Sequence, residues 1–168
     1  MKKWCLFTGI AVLLTFSHCK VNYSFTGASI PPEVKTIYIG YFENNASLVE
    51  PTLSQKITDA FRDKFASETS LVLVTSAGDM NLEGFIRDYR TQPVAIQTDD
   101  QAALNRLTIT IEVSFENTVD EKMSFKSSFS RYADYSSSQN LSAVQEALIE
   151  EINTMLVEDV FNKAVVNW

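Results

Sequence analysis

RLTITIEVSFE, the stretch from Arg106 to Glu116, alternates without a break. Leu107, Ile109, Ile111, Val113 and Phe115 fall on one side, and Arg106, Thr108, Thr110, Glu112, Ser114 and Glu116 on the other. A period of two marks a strand with one buried face. Asn117 to Glu121 turns the chain. Met123, Phe125 and Phe129 then continue the apolar set on a returning strand, opposite Ser124, Lys126, Ser128 and Ser130. Two such runs predict an antiparallel hairpin. Its apolar face must be covered by something else in the chain.

Two amphipathic helices supply the cover. Leu53, Ile57, Phe61 and Phe65 recur every four residues after Pro51, which suits a first helical turn. Leu141, Val144, Leu148, Ile152, Met155 and Leu156 form the stripe of a second helix, opened by the capping-box pair Ser142 and Gln145 and running to about Ala164. Between Lys35 and Phe42, Ile37, Ile39 and Tyr41 share the buried side of a strand. Leu71 to Val74 reads as a short buried strand. Asn81 to Arg90 places Leu82, Gly84 and Ile86 on one face and Glu83, Phe85, Arg87 and Tyr89 on the other. Residues 91–104, with Pro93, read as a loop. The expected fold is an α+β two-layer sandwich, with two helices on one face of a four- to five-stranded, mostly antiparallel sheet. A parallel crossover at the first strand–helix–strand unit would make that sheet mixed.

One folded domain, residues 35–168, suits a chain of 168 residues. Residues 1–18 read as a secretory signal, with Lys2 and Lys3 before an apolar run from Leu6 to Phe16 that is too short to span a bilayer. Phe16-Ser17-His18-Cys19 resembles a bacterial lipobox, in which the Cys becomes lipidated. His18 departs from the Gly, Ala or Ser usual at that place. Residues 19–34 then form the lipidated Cys and an extended tether ending in Pro31-Pro32. Two or three acyl chains hold a protein at a membrane where one does not.

Cleavage before Cys19 removes His18, the one His, and Cys5, the one other Cys. The mature chain then lacks the parts of Ser-His-Asp or Cys-His catalysis, of a His/Cys zinc site and of a disulfide. Twelve basic residues would face 21 acidic ones, a formal charge of −9. Such a chain is a poor partner for nucleic acid, which is bound by neutralising phosphates. Gly27, Gly40, Gly78 and Gly84 are isolated and form no phosphate-cradling loop. Asp99-Asp100, Asp120-Glu121 and Glu150-Glu151 are adjacent carboxylates, which diverge on a strand or helix and fit a solvated surface. Asp99-Asp100 lacks the spacing of an EF-hand calcium loop. No cofactor or metal is expected, and the chain reads as a non-enzyme.

The polar sheet face is the candidate binding surface. Arg87, Tyr89, Arg106, Thr108, Thr110, Lys126 and Ser128 should project from it, with Phe85 beside them and Arg131, Tyr132 and Tyr135 next to a Ser-rich loop. It is either an ordinary solvated face or a site for an anionic, amphiphilic ligand, where arginine forks hold phosphate oxygens and aromatics cover lipid carbon.

Tyr23-Ser24-Phe25-Thr26-Gly27-Ala28 after the lipidation Cys resembles the LptE family of outer-membrane lipoproteins, in a divergent branch. So do Pro51 with its helix, Asn105 to Thr110, Phe129 to Tyr135 and the closing Asn167-Trp168. The resemblance implies two helices on a four-stranded sheet. It also implies an outer-membrane location, an LptD-type β-barrel partner that the domain plugs, and lipopolysaccharide as the ligand. No basic residue here matches that family's glycolipid contacts by motif. The candidates Arg87, Tyr89, Arg106, Lys126 and Arg131 therefore rest on the strand faces. The competing reading is a lipidated periplasmic scaffold of another envelope complex. An envelope hydrolase is a third class, for which no residues stand out.

Overall fold

The computed structural model describes residues 30–48, 50–94 and 103–166. The signal, Cys19, the Tyr23–Ala28 motif, Asp99-Asp100 and Asn167-Trp168 lie outside the described residues. The elements are β1 (Thr36–Ile39), β2 (Glu43–Asn44), α1 (Leu53–Glu68), β3 (Val72–Val74), β4 (Met80–Val94), β5 (Leu104–Asn117), β6 (Phe125–Ser136) and α2 (Leu141–Val165). The sheet runs β3-β1-β4-β5-β6, with β2 continuing the line of β1 along β4. β1 is parallel to both β3 and β4, and the β4-β5-β6 meander is antiparallel. The α+β reading holds, with six strands rather than four or five and a mixed sheet.

Both helices lie on the face that carries Ile37, Leu82, Ile111 and Val113. α1 contacts β1, β2 and β3, whereas α2 covers β5 and β6 and packs along α1. Phe61 of α1 stacks on Phe42 at 4.9 Å, and Phe65 meets Phe161 of α2 edge-on at 5.1 Å. These rings are fully or almost fully buried. Thr58 ties the first helix to the sheet side, because its hydroxyl accepts from the Phe42 N–H at 3.0 Å.

Several local readings change. The chain leaves β1 at Gly40, so alternation fails there: Phe42 enters the core and Tyr41 is exposed. β3 is an edge strand with Val72 61% exposed, and only the preceding Leu71 is buried. The expected 91–104 loop is strand at both ends. β4 continues through Pro93 to Val94, opposite Leu104. Beyond Ile86 it is paired on one side only, the setting in which a strand tolerates proline. α1 begins at Leu53, two residues after Pro51, and α2 begins at Leu141 after Asn140. Ser142 and Gln145 make no capping box, for Gln145 instead donates to Glu50. Met123 closes a 3-10 turn, Glu121–Met123, before β6 starts.

Asp79 fastens the start of β1 to the start of β4. Its Oδ2 accepts from Lys35 N at 2.8 Å and from Thr36 N and Oγ1, each at 2.9 Å. Its carbonyl accepts from Thr118 N and Oγ1 at the end of β5. These donors, the Lys35 N–H first, hold its carboxyl below the ordinary carboxylate value. A depressed folded value means that the stabilisation is complete above the unfolded value, near pH 4, and fades as pH falls through the folded one. Asp79→Asn should therefore melt below the parent at pH 7, with the gap narrowing at pH 3. An equal gap at both pH values would show that the charge contributes nothing.

Candidate functional site

The uncovered face of the sheet is built from transverse rows fixed by register. Gln92, Arg106 and Asp134 form one row, followed by Arg90-Thr108-Tyr132, Asp88-Thr110-Ser130, Phe85-Glu112-Ser128 and Glu83-Ser114-Lys126. No described helix packs on this side.

Register also pairs the charges. Arg106 donates to both oxygens of Asp134, at 2.7 and 2.8 Å, and its guanidinium lies 3.6 Å from the centroid of the Tyr132 ring. The pair raises the Arg106 pKa and lowers that of Asp134, through the hydrogen bonds first in each case. Lys126 stands 3.2 Å from Glu112, and Arg90 pairs with Asp88. Arg87 is exposed, and no ion pair to it occurs among the described residues. Ion pairs on an open, solvated face add little to stability, so these pairs set the face's electrostatics more than its stability. The anticipated basic strip is instead a nearly neutral lattice, in which Arg87 is the cation left without an ion pair among the described residues.

Two of the five residues expected on this face are elsewhere. A β-bulge between Ile86 and Asp88 adds Arg87 to β4 without a partner on β5. An extra residue reverses the alternation, so Tyr89 falls opposite Ile109 and is 5% exposed on the helix side. Burial there, with the charge of Glu50 nearby, pushes its hydroxyl up to about 12. Arg131 is opposite Ile109 as well, and so on the helix-facing side of β6. It reaches off the sheet edge to Asp159 of α2, with two bonds of 2.6 Å. Tyr135 is also buried, opposite Asn105. Thr108 is on the open face but 6% exposed, between Arg90 and Tyr132 in its row.

The sequence reading missed the carboxylates Glu112 and Asp134 as partners. Glu112 was visible in the alternation, but Asp134 becomes a neighbour of Arg106 only through the hairpin register. Among the described residues no group of three His, Cys, Asp or Glu side chains could hold a metal ion. Nothing in this arrangement activates a nucleophile. What it offers is a broad polar platform with Arg87 exposed on it and a stacked Arg-Tyr pair.

The fold recurs in a hypothetical protein from Chlamydia trachomatis, with a TM-score of 0.55 at 9% identity over 80% of this chain and 99% of that one. An uncharacterized lipoprotein B from Nitrosomonas europaea aligns with a TM-score of 0.49 at 13% identity, covering 84% and 86% of the two chains. A minor lipoprotein from Acinetobacter baumannii gives 0.49 at 11%, covering 77% and 91%. No curated protein matches the sequence. The lipopolysaccharide-assembly family model LptE matches residues 34–164, from just before β1 to the last turn of α2. A match that spans both helices and all six described strands places this protein in the LptE family and gives it a role in lipopolysaccharide assembly.

Proposed function

We infer that this protein is a non-enzymatic outer-membrane lipoprotein that partners and plugs an LptD-type β-barrel and assists the passage of lipopolysaccharide to the outer leaflet. A lipid on Cys19 holds it at the membrane, and residues 19–34 tether the domain. The observation that carries this reading is the self-neutralised open face. Barrel interiors are polar. A platform on which Arg90, Arg106 and Lys126 already have carboxylate partners can enter such a lumen with most of its positive charge compensated, leaving Arg87 to find its partner there.

Tagged protein extracted from outer membrane in detergent should bring down a large β-barrel in near-equal amount, identified by mass spectrometry. Complete extraction without such a barrel would favour the periplasmic scaffold instead.

Arg87, the unpaired cation of the face, is the first contact for a glycolipid phosphate. Arg106 and Lys126 would have to exchange a carboxylate for it. Arg87→Glu should therefore weaken lipopolysaccharide binding by roughly tenfold, the scale of one charge-assisted hydrogen bond, with an unchanged melting curve. Unaltered binding removes Arg87 from the site.

A further inference from the structure

Asn153 is 4% exposed, in the middle of the buried stripe of α2 between Ile152 and Leu156. Its Oδ1 is buried and has no hydrogen-bond partner among the described residues. A buried amide without partners is costly, and leucine of similar size would fit a helix–helix seam without that cost. The amide lines a cleft of about 410 Å³ between α1 and α2. Asp59, Asp63 and Glu150 stand around it, with Ala60 adding an apolar wall. Asp59 already takes hydrogen bonds from Gln55 and Arg62. Asp63 and Glu150, one from each helix, have no ion pair among the described residues. Lys56 also borders the cleft, yet its Nζ is committed to Glu146 at 2.7 Å.

We propose that this cleft is a socket for an arginine side chain of a partner polypeptide. The charge of the opening is complementary to a cation. The acceptors are dispersed over two helices and an amide floor, so they suit a planar group with five diverging donors better than a compact ammonium. Half a turn about the last side-chain torsion of Asn153 exchanges its oxygen and nitrogen, which lets the amide present an acceptor to the guest. The socket is on the helix side, away from the open sheet face, and stands independently of the barrel reading.

The test is a titration of the intact, nitrogen-15-labelled protein with N-acetyl-arginine methylamide. The neutral isostere N-acetyl-citrulline methylamide serves as comparison. The side-chain amide signals of Asn153 should move saturably with the arginine probe and not with the citrulline one. Asp63→Asn combined with Glu150→Gln should weaken that binding about tenfold. Asn153→Leu should abolish it while raising the melting temperature, since the unpaired amide is gone. Silence of the Asn153 signals, equal movement with citrulline, or a lower melting temperature for Asn153→Leu would each overturn the proposal.

Discussion

Gly84→Ala is expected to lower the melting temperature by roughly 10 °C, from a cost of about 3 kcal/mol in a domain of this size. Gly84 is on the helix-facing side of β4, opposite Val113. A Cβ there would meet the Glu112 carbonyl oxygen well inside contact distance and Cε1 of Phe42 at 2.5 Å. Neither neighbour can withdraw freely. The carbonyl belongs to β5, paired on both sides, and the Phe42 ring is wholly buried and stacked on Phe61. The glycine is required here by close approach: the ring of Phe42 occupies the place its side chain would take. Phe42→Ala alone should cost about 3–5 kcal/mol as a core cavity. The double variant Gly84→Ala with Phe42→Leu should be more stable than the sum of its parts, because the shortened side chain frees one of the two blocked directions. Thermal or denaturant melts of Gly84→Ala, Phe42→Leu and the double variant check this, and simple additivity would mean that the ring and the glycine are not coupled.

The same corner of the molecule shows what sequence could and could not convey. The Arg106–Glu116 alternation and the hairpin after it were legible because each residue's face follows from strict period two. Gly40 and Arg87 break that count by one residue each, and nothing in composition announces either break. Past Gly40, Tyr41 and Phe42 exchange places, and past Arg87 the face of Tyr89 is reversed. β3 looked buried because Leu71 to Val74 is uniformly apolar, although strand order leaves it at an edge. Arg106 of β5 and Lys126 of β6 stand on the open face, as period two predicts. Their neutralisation was not legible, because Asp134 is 28 residues from Arg106 and meets it only through register. Arg131 shares the parity of Phe129, so its side was readable, but Asp159 comes from the distant second helix.

Cys19→Ser should move the protein from the membrane pellet to the soluble periplasmic fraction, the largest functional change expected of any single substitution here. Among the described residues no helix is long and apolar enough to cross a membrane. One myristoyl-length chain gives only reversible binding, with a constant near 10⁴ M⁻¹, whereas each buried methylene adds about 0.8 kcal/mol. Two or three chains on Cys19, as proposed, would therefore make the difference between exchange and permanent residence. Tethering also confines the domain to a thin layer at the membrane, so a partner there is met at high effective concentration. Assembly with that partner should fall together with membrane residence, and raising the expression of the Ser variant should restore part of it. Fractionation after metabolic labelling with palmitate separates the possibilities. A Ser variant that loses label but stays in the pellet would show that protein contacts, not the lipid, hold the domain in place. A parent that takes up no label would end the assignment of Cys19 as the anchor, and would make His18 the residue that spoils the lipobox.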